Sequence, residues 1–204
     1  AWSWLCRQPR VGSCRGFATR EECAHLMNKV ANSLTLPHEY RTGRSANDDA
    51  ELASFSGSGC PLGAMHSDPV VRLLERRLAM MSDWPVAALE PCSIVRYQPG
   101  EEYRLHVDYF TAEQIAINRA QRNDLSGQRI ATFLLYLRAA DAGGETEYPD
   151  ADLVVQGEAG MAVLHFNAAA DGTPDLSSRH IGRPVRAGEK WLWRSALRQH
   201  PIYA

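Results

Sequence analysis

Apolar positions recur at helical spacing twice in the first half of the chain. In TREECAHLMNKVANSL, Cys23, Leu26, Met27, Val30, Ala31 and Leu34 fall on one face, and Thr19 and Glu22 stand ahead of them at capping-box spacing. In SDPVVRLLERRLAMM, Leu74, Leu78 and Met81 share a face, Asp68 is placed to cap the run, and Pro69 occupies a first-turn position. Both stretches are predicted helices. Between them, RTGRSANDDAELASFSGSGCPLG has no period and is rich in Gly, Ser and Asp, which predicts a long loop. From Cys92 the pattern changes to short apolar runs punctuated by Gly, Pro and Asp: SIVRY, YRLHV, IATFLLYL, DLVVQ, MAVLHF, PVRAG and KWLWRSALR. TAEQIAINRAQRND interrupts this series and predicts a helical insert. Many short strands after a helical start predict an α+β chain, with a jelly-roll or sandwich core and helices packed outside it.

The chain has 204 residues, enough for one well-cored domain. It reads as a single domain over 1–204, helical to about 90 and strand-rich from about 91. A net charge of −2 carries no basic surplus for nucleic acid or an anionic membrane, and no apolar run is long enough for a bilayer helix. Five Cys without a C-x-x-C pair suit a reducing compartment, although pairing of Cys6 with Cys14 stays open. The first residues lack the apolar stretch of a signal peptide, so the expectation is a cytoplasmic, bacterial protein.

The histidines carry the candidate chemistry. Two H-x-D tripeptides occur, HSD at 66–68 and HVD at 106–108. In the first, Asp68 is already explained as a helix cap before Pro69, which leaves His66 little claim to a metal. In the second, strand alternation would point His106 and Asp108 to one side, with Leu105 and Val107 packing behind. Two His and one carboxylate on one face make the facial triad that holds ferrous iron and leaves positions open for substrate. The third ligand would come from His165, His180 or His200, and the pattern alone favours His180 only slightly. His165 reads as a buried strand histidine whose loss would cost stability at most, and His200 as a surface residue.

The blocks IVRYQPGEEYRLHVDYF, GQRIATFLLYL, GGETEYP and RHIGRPVRAGEKW, in that order and near that spacing, resemble the prolyl 4-hydroxylase-like branch of the 2-oxoglutarate and Fe(II)-dependent dioxygenases. The likeness covers most of the chain. It implies a double-stranded β-helix, a jelly-roll variant, with N-terminal helices packed on the major sheet. It implies Fe(II) held by His106, Asp108 and His180, and a 2-oxoglutarate cosubstrate whose distal carboxylate pairs with Lys190, ten residues after His180. Tyr97 and Thr146 match positions that contact 2-oxoglutarate, where hydroxyls can donate charge-assisted hydrogen bonds. Gly143 and Gly144 would serve backbone geometry. The implied reaction consumes O2, decarboxylates 2-oxoglutarate to succinate and CO2, and hydroxylates an unactivated C–H, with ascorbate as a reductant.

The same resemblance assigns Tyr103 and Arg129 to the substrate side. Here the chain also departs from the family, because Ala196 stands where an aromatic is usual and Arg198 where a His is usual. By strand parity Lys190, Arg194, Ala196 and Arg198 share one face, so that end reads as roomier and more cationic, with Arg194 and Arg198 as further substrate contacts. The implied partner is a peptide, a protein or a small molecule: a peptidyl-prolyl substrate first, a free amino acid or metabolite second. The 41–66 region would close over it, carrying Arg41, Arg44 and Asn47.

Overall fold

The computed structural model of the protein describes residues 1–35, 55–61, 68–122 and 124–202. Where the first helix was predicted, α1 spans Arg20–Val30, and the side chains of Thr19 and Glu22 each accept from the other's backbone N–H as a capping box. The second, α2, spans Pro69–Ser82. Asp68 caps it by accepting from the Val70 and Val71 amides, and Asp68 also binds His25 and Lys29. The helical insert is α3, Ala112–Arg122, opened by reciprocal bonds between Thr111 and Gln114. His66, Arg41, Arg44 and Asn47 lie outside the described residues.

Thirteen described strands follow one another as β1 (Ser3–Arg7), β2 (Arg10–Cys14), β3 (Ser58–Pro61), β4 (Ser93–Tyr97), β5 (Tyr103–His106), β6 (Arg129–Arg138), β7 (Ala142–Gly143), β8 (Thr146–Tyr148), β9 (Leu153–Val155), β10 (Ala162–Phe166), β11 (His180–Gly182), β12 (Val185–Ala187) and β13 (Lys190–Arg198). They form a seven-stranded sheet in the order β1-β2-β10-β6-β13-β4-β3, a four-stranded sheet in the order β5-β11-β8-β9, and the pair β12-β7. Every pairing is antiparallel. The result is a jelly-roll core.

The first 90 residues are less helical than predicted. β1 and β2 form a hairpin that docks on β10. Three of the first four residues of β1 are exposed, so it shows no alternation to read. β3 lies inside the stretch read as a loop and adds the far edge of the large sheet through β4. Its sequence, SGCP, has no strand signature and is held by its partner. Cys6 and Cys14 are both free thiols. Among the described residues no helix is long and apolar enough to cross a membrane.

Strand alternation sorts the core into two clusters. Ala131, Phe133, Leu135 and Leu137 of β6, Ala162 and Leu164 of β10, and Trp191 and Trp193 of β13 belong to one, together with Cys23, Leu26 and Val30 of α1 and Val71, Leu74 and Leu78 of α2. The intervening Leu134 and Tyr136, Val163 and Leu192 belong to the other, with Tyr103 of β5, Tyr148 of β8 and Val155 of β9. β6 is therefore buried on both faces along nearly its whole length, which explains why it reads as a continuous apolar run. The inner face, between the two sheets, is where polar side chains gather.

Leu26 is fully buried and Met80 is 86% exposed. Leu26→Ala should lower unfolding free energy by about 2–5 kcal/mol, whereas Met80→Ala should stay within about 0.5 kcal/mol. Urea denaturation followed by circular dichroism checks both.

Candidate active site

β5 and β11 are paired so that His106 and His180 are Cα partners. β5 ends at His106, and Asp108 lies two residues past its end. Even so, the three side chains converge. His106 Nε2 is 3.7 Å from Asp108 Oδ1, and His180 Nε2 is 3.7 Å from Asp108 Oδ2. These are the residues among those described that can jointly reach one metal ion. Their orientation is set from behind. His106 Nδ1 is 2.7 Å from the Arg104 carbonyl and His180 Nδ1 is 3.1 Å from the Ser178 carbonyl. A carbonyl only accepts, so each Nδ1 carries the hydrogen and each Nε2 keeps its lone pair for a metal. The expected packing of Leu105 and Val107 behind the site does not occur. Both are exposed, at 49% and 37%: Leu105 lies within β5 and Val107 just past its end.

Electrostatics agree with a ligand set. Burial alone would raise the Asp108 carboxyl, but the charge of His180, the hydrogen bond from His165 and the charge of His106 outweigh it and hold it well below the usual carboxylate range. Burial, reinforced by His106 and His165, pushes His180 well below the ordinary imidazole value against the pull of Asp108. A carboxylate and neutral imidazoles are the protonation states that metal binding requires.

Two adjoining cavities share Asp108, Thr132 and Arg194 in their walls. The first also includes Tyr97, Tyr103, Thr146, His180 and Lys190. Lys190 is 3% exposed, and its ammonium lies 5.5 Å from the ring centres of both Tyr97 and Tyr136. It forms no salt bridge with any described residue. Burial lowers it to about 7, with only Glu145 pulling the other way. A buried ammonium without a counter-ion, facing the cavity that holds the His–Asp–His group, fits a ligand that supplies a carboxylate. Thr146, 2% exposed, bonds Tyr136 at 2.6 Å. Gly143 has φ +74, and a Cβ there would lie 2.3 Å from the Pro184 carbonyl oxygen, so the backbone-geometry role read for it follows from this contact.

The second cavity adds Glu90, Arg129, Ser195 and Ala196. Arg129 lines it, but its guanidinium is in a bidentate pair with Glu90, at 2.8 Å for both contacts. Arg194 lines both cavities and donates to Ser93. Arg198 departs from the parity argument. Strand pairing shifts between Leu197 and Arg198, and the guanidinium is buried against Glu90, Asp124 and the Gly127 carbonyl, away from either cavity wall. Tyr103 is 5% exposed and stacks flat on the His106 ring at 3.5 Å, on the Lys190 side of the site rather than beside Arg129.

Several contributors escaped the sequence reading. Gln128 grips Phe110 through both its backbone N–H and its carbonyl, and Arg129 and Arg198 lie over the Phe110 ring, so the GQR block anchors the segment just past Asp108. Thr132 donates to Asp108 Oδ2 at 2.7 Å. His165 is buried, as read, but its Nε2 lies 3.3 Å from the same oxygen. His200 is exposed. Inward-facing polar residues in the apolar runs of β6 and β10 were the available signal for Thr132 and His165.

A jelly-roll with two His and one Asp on its inner face, and a buried Lys in the adjoining cavity, defines a non-haem metal oxygenase site. Residues 92–196 match the 2OG-Fe(II) oxygenase superfamily, and the chain belongs to that family of 2-oxoglutarate-dependent dioxygenases. Its relatives include prolyl 4-hydroxylase 5 of Arabidopsis thaliana, 32% identical over 93% of this chain and 67% of the relative, and prolyl 4-hydroxylase 1 of the same plant, 32% identical over 97% and 70%. The chain thus spans about two thirds of the length of such relatives. In fold it is similar to the viral collagen prolyl hydroxylase of Paramecium bursaria Chlorella virus 1 in its 2-oxoglutarate complex, with TM-score 0.69 and 20% identity over 95% of this chain and 98% of that one. It is also similar to a Pseudomonas putida prolyl-4-hydroxylase, with TM-score 0.57 and 16% identity over 92% and 91%.

His180→Ala should abolish Fe(II) or Co(II) binding in anaerobic titration calorimetry, while His200→Ala should bind as the native chain does. The Lys190 ammonium yields a pH prediction with a definite sign. Its folded value, about 7, lies below the ordinary 10.5, so burying the charge costs stability in full below about pH 7, and the cost fades as pH rises towards 10.5. Lys190→Met should therefore stabilise the cosubstrate-free protein most at pH 7 and below, and the gain should shrink at higher pH in urea denaturation. The same variant should lose 2-oxoglutarate binding.

Proposed function

We propose that the protein hydroxylates an unactivated C–H of a peptidyl-prolyl or closely related substrate, with decarboxylation of 2-oxoglutarate to succinate and CO2. The observation that carries this reading is the convergence of His106, Asp108 and His180 on a cavity also lined by Lys190, which forms no salt bridge with any described residue. His106, Asp108 and His180 would hold Fe(II), which when bound supplies the activation of O2. The protein's own residues then do the positioning. Lys190 orients 2-oxoglutarate by its distal carboxylate, with the Tyr97 and Thr146 hydroxyls as further donors. Tyr103 supports the His106 ring. Arg129, aligned by Glu90, and Arg194 face the second cavity, where the target carbon would be brought beside Asp108. The relatives named as prolyl 4-hydroxylases support a prolyl substrate. We read α1 and α2 as the outer layer of the seven-stranded sheet, since their buried residues share one cluster with it.

A free amino acid or other small metabolite is the second reading. It draws on the mixed charge of the second cavity, where Glu90, Arg129 and Arg194 offer both signs to a zwitterion, and on the small Ala196 in its wall. The test is succinate release from 2-oxoglutarate with Fe(II), followed by mass spectrometry for one added oxygen in proline peptides and in free amino acids. The expected outcome is coupled succinate and hydroxylated peptide. Oxygen added only to a free amino acid selects the second reading, and no succinate with either substrate class overturns both.

A further inference from the structure

His165 is a buried titratable group to which the proposed reaction gives no role. It sits on the inner face of β10, directly across from Thr132 of β6. It is 0% exposed, next to Val163 on the same face. A phenylalanine would fill such a place without desolvating two ring nitrogens, so an imidazole needs polar partners there. It has two. The Tyr148 hydroxyl lies 2.8 Å from Nδ1, and Asp108 Oδ2 lies 3.3 Å from Nε2. Tyr148 is itself fully buried, and burial keeps its phenol protonated. An arrangement of hydrogens that satisfies every partner follows from these contacts. An ionised carboxylate can only accept, so Nε2 carries the hydrogen. Nδ1 can then accept from the phenol.

We infer that His165 is a positioning residue for Asp108, donating Nε2–H to its carboxylate in a tautomer that Tyr148 selects. Thr132 donates to the same Oδ2 and is itself held by Asn167, at 2.9 Å. Asp108 has left the regular strand at this point, so its carboxylate depends on these donors from β6 and β10 for its orientation. The seven-stranded sheet thereby fixes a ligand supplied by the other sheet. The inference rests on the metal-site reading above and adds a third histidine to it, outside the ligand set.

Two measurements test it. In the metal-free protein, long-range 1H–15N correlation spectroscopy should find His165 as the Nε2–H tautomer, and Tyr148→Phe should weaken that preference. In anaerobic calorimetry with Co(II), His165→Phe should bind about ten- to a hundredfold more weakly than the native chain. His165→Gln, whose amide nitrogen can stand where Nε2 stands, should recover most of the loss. Thermal unfolding of the metal-free variants separates this from a merely structural role. If His165→Phe does not fold, the Gln and Tyr148→Phe variants carry the test. A Co(II) affinity unchanged in His165→Phe, a Gln variant as weak as the Phe variant, or an Nδ1–H tautomer would overturn the inference. A native chain that binds no Co(II), while still showing the Nε2–H tautomer, would instead overturn the metal site on which it rests.

Discussion

His106 and His180 face each other across β5 and β11, and the candidate site is built around that register. Side chains alternate with period two, so a slip of one residue would send one imidazole to the other side of the sheet. The pairing is irregular one step further on, between His180 and Gly182, and this irregularity leaves Tyr103 stacked on His106. Asp108 is the weakly held partner by comparison, because it comes from the segment beyond the strand. The structure compensates from the opposite sheet through Thr132 and His165, and from the GQR block through Gln128 and Phe110.

A second constraint is the uncompensated charge. A lysine buried between two aromatic rings, with no counter-ion among the described residues, costs stability in the cosubstrate-free protein. The same cost is a source of affinity, since a carboxylate entering the cavity meets an ammonium that water does not screen. Lys190 is held where it is by β13, whose outward residues Trp191 and Trp193 lock the strand into the other core cluster. The substrate side is built differently. Arg129 and Arg198 share Glu90, and the pair clamps Phe110, so much of the positive charge near the second cavity is already balanced within the protein.

The sequence by itself determined the local elements and the chemistry they carry. The helix starts at Thr19 and Asp68, the run of β6 apolar on both faces and the pair His106 and Asp108 were legible, because caps, periodicity and residue type are properties of neighbouring positions, whereas His180 and Lys190 were singled out by the family resemblance and not by local pattern. It did not reveal β1, β2 or β3, whose residues carry no alternation of their own and become strands through their partners. Tertiary structure alone decided what long-range contacts decide. Ion pairs with Glu90 and Asp124 bury Arg198. Leu105 within β5 and Val107 just past it are exposed, with no described layer of the fold behind them. The meeting of two sheets placed His165, read as an ordinary core histidine, against the carboxylate of Asp108. Each depends on which residue lies across a sheet or a cavity, and one-dimensional spacing does not encode that.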